Sequence, residues 1–396
     1  MGNQKYMTIS ARDIAKIREE EFSEIAGSGV TYLNNAGTGP LPARAVKTLN
    51  TWATHRTKPW TISDREHIFP ALEKVRNQCA KLIGADASEI ALTTNTSYGL
   101  SLAANALPLA PDDVVLISEH EFPSIVYGWR SAAEQKGFHV KTLAAKNGLL
   151  DEDALINTLN APNVKAVAVS WVSFATGQRI DLARLGKACK DRGIFLVVDA
   201  MQGIGCSALD IKTCHADIIS VGGYKWLLSP WGTGFLYVRK DLITTLEPPV
   251  VGWMVGPASE KYEQLLRYDL TFYSDARRFE VMTLAVQDLI AMGSSLELLL
   301  ELGLNAIEVR CQQLSDRLIN GLAHCESTSI ITPASPSKRA AIVTVAVPDS
   351  LATSKRLSEA GIIHSRRENK LRFAPHFYNT MSEIDMAVEH LIRKQP

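Results

Sequence analysis

The sequence predicts an α/β protein built on a mostly parallel sheet, and three observations predict it. Short β-branched runs recur along the chain, at Ile90–Thr93, Val114–Ser118, Val164–Trp171, Ile194–Asp199, Asp217–Val221 and Gly234–Val238. Runs of this length bounded by turn residues suit strands buried on both faces. Between them lie helical patterns, such as Leu182–Arg192 with its Gly193 stop, which reads as a crossover. Finally, two of the runs end in residues of chemical consequence. Asp199 closes one, and Lys225 leaves another through Gly222 and Gly223. Carboxyl ends of strands are where open α/β sheets place their ligands.

A chain of 396 residues is long for one small core and predicts a large domain with a smaller one. The expected division is an N-terminal helical segment over 1–30 that packs on the small domain, a large domain over 31–290, and a small C-terminal α+β domain over 291–396. Lys+Arg and Asp+Glu both number 42, so the zero net charge leaves no footprint for nucleic acid. The six cysteines (79, 189, 206, 214, 311, 325) show no C-x-x-C pair and read as reduced thiols of a cytoplasmic protein. The first 25 residues, with Arg12, Lys16, Arg18 and Glu19–Glu21, are too charged for a signal peptide. The most apolar window, Leu284–Leu304, is interrupted by Gln287, Asp288, Ser294 and Glu297, so no membrane span is expected. No metal is expected either.

Asp199 and Lys225 carry the main chemical signal. A carboxylate buried at a strand end is expensive unless a cation partners it, and a protonated heterocyclic nitrogen is one such cation. A lysine on a neighbouring strand end that forms an imine with an aldehyde completes the description of a pyridoxal phosphate site. The plain alternative is a solvent-exposed lysine and an aspartate that caps the next helix.

The stretch resembles the signature of the class V aminotransferases, fold-type I pyridoxal phosphate enzymes. That family includes cysteine desulfurases, selenocysteine lyases, kynureninases and isopenicillin N epimerase-like proteins. Asp199, Gln202, Ser220, Tyr224 and Lys225 match its pattern. The resemblance implies that all five bind the cofactor, with Lys225 also the catalytic residue. Matching motifs extend from about Tyr32 to Ile392.

In chain order, Tyr32–Pro42 is a turn-rich loop, and the resemblance makes Asn34 or Asn35 a substrate contact. Ile90–Ser97 followed by Tyr98–Leu107 reads as strand, turn and apolar helix. A helix beginning near Thr96 offers free N–H groups to a phosphate, with the Thr96 and Ser97 hydroxyls beside it; an ordinary N-cap is the plain reading. After Val114–Ser118 comes Glu119-His120-Glu121-Phe122-Pro123-Ser124, with Tyr127 beyond it. The similarity to kynureninases implies that Phe122 stacks on the cofactor ring, with His120 in reserve. Ser173 is a candidate near the substrate, or simply a turn hydroxyl. Arg277–Thr283 resembles the segment whose threonine reaches the neighbouring subunit's phosphate, which makes Thr283 a cofactor contact across a homodimer. Val281, Met282 and Leu284 depart from the usual glycine and proline there.

Leu284–Asn320 reads as a long helical link into the small domain. Ala341–Val347 then reads as a strand, Ala352–Ala360 as a helix, and Ser382–Ile392 as the closing helix. Arg372 opens Arg-Phe-Ala-Pro-His-Phe-Tyr-Asn-Thr. A planar guanidinium binds a carboxylate through two parallel hydrogen bonds, and the resemblance makes Arg372 the binder of the substrate carboxylate. Desulfurases of this family carry a nucleophilic cysteine shortly before this arginine, whereas Gly361–Lys370 contains none. Cys325 lies earlier, beside a helical segment, and reads as inert. The expected activity is amino-group transfer on a small-molecule amino acid. A β-lyase, an epimerase and a cofactor-binding protein without turnover are the alternatives.

Overall fold

The computed structural model describes residues 8–393. Its strands are β1 (Thr31–Tyr32), β2 (Ile90–Thr93), β3 (Val114–Ser118), β4 (His139–Leu143), β5 (Val164–Ser170), β6 (Phe195–Asp199), β7 (Ile218–Gly222), β8 (Gly234–Val238), β9 (Ser329–Ile330), β10 (Val343–Ala346), β11 (Ile362–Ile363), β12 (Ser365–Arg367) and β13 (Lys370–Phe373). Seven of them form one sheet in the order β2-β8-β7-β6-β5-β3-β4. The sheet is parallel from β4 to β7, while β8 runs antiparallel to both its neighbours. The β-branched runs of the sequence are its strands. β6, β7 and β8 are almost wholly buried, as strands covered on both faces must be.

Helices Thr96–Ala106 and Pro123–Lys136 lie on one face and pack together. The Thr96–Ala106 helix sits unusually close to β7. A Cβ at Gly99 would collide with Ser220 Oγ, so a residue without a side chain is required at that contact. Leu182–Lys190 covers the other face against β6. Parallel strands with crossover helices leave their carboxyl ends side by side, and β5 and β6 bring Ser170 opposite Asp199.

A second sheet, β12-β13-β10-β9, is antiparallel throughout. β12 and β13 form a two-residue hairpin whose turn residues Glu368 and Asn369 both have positive φ (45° and 58°), the geometry that matches strand twist. Leu371 and Phe373 enter a small core with Leu314, Leu318, Ile384 and Leu391. β1 pairs with β11, so residues 31–32 sit beside this smaller unit. The N-terminal helix Ala11–Glu21 packs there too: Arg18 donates to Tyr378 O and pairs with Glu383, and Phe22 stacks on Tyr378. The long helical stretch of the sequence is two helices, Val286–Leu302 and Leu304–Leu322, bent by 81°. The first packs on helices Ala43–Arg56 and Phe69–Ile83, the second on Met381–Ile392. A boundary between 290 and 291 therefore falls inside a helix whose packing partners belong to the larger unit. Among the described residues no single helix is long and apolar enough to cross a membrane.

Candidate active site

Strand ends converge on a narrow cleft. Its floor is Asp199, Met201 and Gln202, just past β6, with Ser170 from β5. One side is the start of the Thr96–Ala106 helix, contributing Asn95, Thr96 and Ser97. Ser124 lines the cleft beside Ser97, Phe122 and Phe174 add an aromatic edge, and Tyr224 and Lys225 complete the wall. A larger hollow of about 620 Å³ lies between Arg65, Glu73, Arg76, Glu260 and Arg277. Among the described residues no lysine lines it, and it lies away from the sheet's carboxyl ends, so the smaller cleft is the candidate chemical site.

Asp199 is buried and receives a hydrogen bond from Met201 N at 2.8 Å. Burial raises its carboxyl to a pKa of about 6, which the Met201 hydrogen bond and the Lys225 charge only partly offset. Burial likewise brings the Lys225 amine down to about 8, against the attraction of Asp199. Lys225 Nζ stands 5.6 Å from the ring centroids of both Phe122 and Tyr224. An amine that sheds its proton this readily is prepared to attack an aldehyde. A carboxylate buried without a full counter-charge suits a protonated ring nitrogen.

The helix start supplies the anion-binding end. Asn95 caps it by accepting from Tyr98 N at 2.9 Å, and the N–H groups of Thr96 and Ser97 have no intrahelical acceptor. Ser97 Oγ and Ser124 Oγ lie 2.7 Å apart on the cleft wall. The residues present thus fit pyridoxal phosphate at both ends: a cradle for phosphate, and a carboxylate and an amine at the ring.

Several expected residues act from behind the wall. Ser220 is fully buried and donates to Thr96 O at 2.9 Å. Its side chain therefore holds the helix start and does not face the cleft. Gln202 reaches the wall, but Nε2 donates to Ala36 O and Oε1 accepts from Trp226 Nε1, which ties the residue after Lys225 to the 34–37 turn. Asn35 is completely buried, with its amide on Ala374 O and its carbonyl on the Tyr378 hydroxyl. Asn34 is half-buried with Oδ1 unpaired, and neither asparagine lines the cleft. Ser173 Oγ accepts from Ala175 N and Thr176 N, as a turn hydroxyl does. His120 is exposed, 3.8 Å from Glu119. Thr283 is exposed and lies off the cleft wall of its own chain.

Arg372 is 2% exposed on β13. Nε donates to Ser365 Oγ at 3.0 Å and Nη1 to Phe174 O at 2.9 Å, which aims the guanidinium at the loop rimming the cleft. Burial, then the nearby Arg367, lowers its pKa to about 10.

Three further groups emerge only in three dimensions. Glu121, buried beside Ser170, accepts from both its N–H and its hydroxyl, and burial raises its carboxyl to about 7, with the Asp199 charge adding to the effect. His376 is fully buried, its pKa lowered to about 4 by that burial, and Nε2–H donates to Trp226 O at 3.0 Å, bracing the backbone next to Lys225. Gly39 lies against the Lys225 carbonyl oxygen, where any Cβ would collide. His376 and Gly39 sit within motifs that the sequence singled out. Glu121 carried no local signal, because Glu119-His120-Glu121 reads as a solvated run.

Comparison with known proteins agrees with this geometry. The chain matches the profile described as aminotransferase class-V over residues 31–365. It is 28% identical to an isopenicillin N epimerase of Streptomyces clavuligerus over 91% of this chain and 94% of that one. The apo structure of a cysteine desulfurase from Thermococcus onnurineus NA1 superposes with a TM-score of 0.86 at 25% identity, covering 98% of this chain and 99% of that one. A C-DES variant with glycine covalently linked to its PLP cofactor shares the fold at a TM-score of 0.86 and 23% identity, over 95% and 98% of the two chains. The chain belongs to the class-V aminotransferase family and is a pyridoxal phosphate-dependent enzyme of fold type I.

Proposed function

We propose that this enzyme is an aminotransferase acting on a small-molecule amino acid. The observation that carries the reading is Lys225, the only amine on the cleft wall among the described residues, with a pKa brought to about 8 by burial. When bound, pyridoxal phosphate supplies the aldehyde that takes the substrate amine and a ring that stabilises charge at Cα. Thr96, Ser97 and Ser124 would hold its phosphate, Phe122 would cover its ring, and Asp199 would keep the ring nitrogen protonated. Arg372 orients the substrate through its carboxylate. With the cofactor bound, Lys225 would act as general base at the substrate Cα and as the carrier that returns the proton.

Two features weigh against thiol-based desulfuration and two-carrier epimerisation. No cysteine lines the cleft, and five of the six thiols are buried, so thiol attack on a substrate sulfur has no nucleophile here. Epimerisation by two carriers needs a second acid on the face away from Lys225, and the Phe122 ring has no exchangeable proton.

We also infer a homodimer in the cytoplasm. Val250, Val251, Trp253, Leu266, Tyr268 and Leu270 are at least half exposed along one segment near Thr283, a density of apolar side chains that suits a subunit interface. None of the six cysteines is paired.

The deciding experiment mixes holoenzyme with an amino acid panel and separates the products. Keto acid formed in proportion to an added acceptor supports the proposal. Pyruvate released catalytically without acceptor would mark a β-lyase, and inverted amino acid an epimerase. A cofactor spectrum unmoved by every amino acid would mark a protein without turnover.

A further inference from the structure

The strand pairing that aims Arg372 at the cleft aims two more cations the same way. On β13, Leu371 and Phe373 enter the small core, so Lys370 and Arg372 take the opposite face. Across the ladder Arg372 stands opposite Ser365, and Lys370 opposite Arg367. These four side chains therefore share one face. That face looks at the larger domain: Thr344, paired with Arg372 from β10, donates its hydroxyl to Ala175 O at 2.8 Å, next to the Arg372 contact with Phe174 O. Diagonal neighbours on such a ladder stand about 7–8 Å apart, within reach of long side chains. Arg367 and Arg372 are such a pair.

No acidic side chain answers this cluster. Among the described residues, the ion pairs of this part of the chain include Lys338–Glu152, Arg339–Asp316, Arg317–Asp385 and Lys355–Glu359; Arg367, Lys370 and Arg372 form none. Glu368, in the hairpin turn, is exposed and likewise unpaired. Arg366 points to the other face, toward Ser350 and Asn369. Like charges directly opposite one another weaken an antiparallel pair, and Arg367 opposite Lys370 is that arrangement, on the ladder that carries Arg372. The charge of Arg367 is felt at both Arg372 and Lys225, helping to lower both.

We propose that Arg367 and Lys370 form a second anion subsite, so that the preferred substrate is an amino acid with a second anionic group, a carboxylate or an equivalent acid, on its side chain. The proposal rests on the reading of Arg372 as binder of the α-carboxylate. Arg372 is buried and fixed on two nitrogens, so it suits the invariant end of the substrate. Arg367 is exposed on a flexible stem and suits the end that varies in reach.

Calorimetric titration of the holoenzyme with butyrate and glutarate tests this, because both lack an amino group and differ by one carboxylate. Glutarate is expected to bind about tenfold more tightly or better, the size of one charge-assisted hydrogen bond. In Arg367→Ala/Lys370→Ala that advantage should fall below about twofold, and Arg367→Glu should reverse it. The hairpin residues changed are at the surface, and circular dichroism of the variants checks their folding. Equal affinity for the two acids in the wild type, or an advantage that survives in the double variant, overturns the second subsite and leaves Arg372 untouched. If neither acid binds the wild type, both readings fall; where both bind, Arg372→Ala, expected to weaken both acids alike, tests the α-carboxylate reading separately from the second subsite.

Discussion

Asp199→Asn sets the two states of the protein against each other. The carboxylate is 5% exposed, accepts one hydrogen bond from Met201 N, and has its pKa raised by burial from 3.8 to about 6. A raised folded-state pKa means the ionised form is the disfavoured one. Stability is therefore lost as pH rises from about 3.8 to about 6, and stays lower above that. At 1.36 kcal/mol per pH unit the penalty at pH 7 is about 3 kcal/mol. An amide keeps the shape and the Met201 bond but not the charge. The apoprotein should gain up to about 3 kcal/mol, less whatever Lys225 loses with its neighbour. For a chain of 396 residues, with an unfolding entropy of about 0.8 kcal/mol/K, that is a rise in Tm of up to about 4 °C. In the holoprotein the sign reverses, because an amide cannot keep the ring nitrogen protonated. Removing one partner of a buried ion pair costs about 3–5 kcal/mol, so cofactor affinity should fall at least about a hundredfold. Thermal unfolding of the apoprotein at pH 4 and pH 7, with a fluorescence titration of cofactor, reads both effects. An apo variant no more stable than wild type at pH 7, or a gain that does not shrink toward pH 4, refutes the account of Asp199 as a carboxylate waiting for a cation.

Three other perturbations check neighbouring parts of the site. With the Lys225 amine at about 8 instead of 10.5, cofactor loading should rise about tenfold per pH unit below 8 and then level off; borohydride reduction and peptide mapping should find the adduct at residue 225, and a plateau near 10.5 or an adduct elsewhere would contradict this. Glu121 has its carboxyl raised from 4.5 to about 7 by burial, so apoprotein stability should decline between those values and Glu121→Gln should flatten the decline, as followed by thermal unfolding across that window. A methyl group in Gly99→Ala would press on Ser220 Oγ and lie 2.9 Å from Leu236 Cδ1, costing about 1–3 kcal/mol. Because the helix it displaces is the phosphate cradle, affinity for pyridoxal phosphate should drop more than affinity for pyridoxal; equal losses would show that the helix start does not hold the phosphate.

The sequence by itself determined the sheet and the poles of the site. Fully buried strands are continuous apolar runs, so β3, β5, β6 and β7 are visible as local composition. Asp199 and Lys225 stand out because a charged residue ending such a run needs a reason. Arg372, between Leu371 and Phe373, stands out likewise. Tertiary structure decided the facing of everything else. Ser220 and Asn35 match motifs by position, yet the close packing of the Thr96–Ala106 helix on β7 and the pairing near Ala374 turn both away from the cleft. Glu121 became a buried acid only when β5 placed Ser170 beside it. Arg367 and Lys370 became one charged face with Arg372 only through the register of a hairpin. Apolar runs and chemical side chains are local properties of a chain, whereas burial, register and the charge at a neighbouring strand are set by residues far away in it.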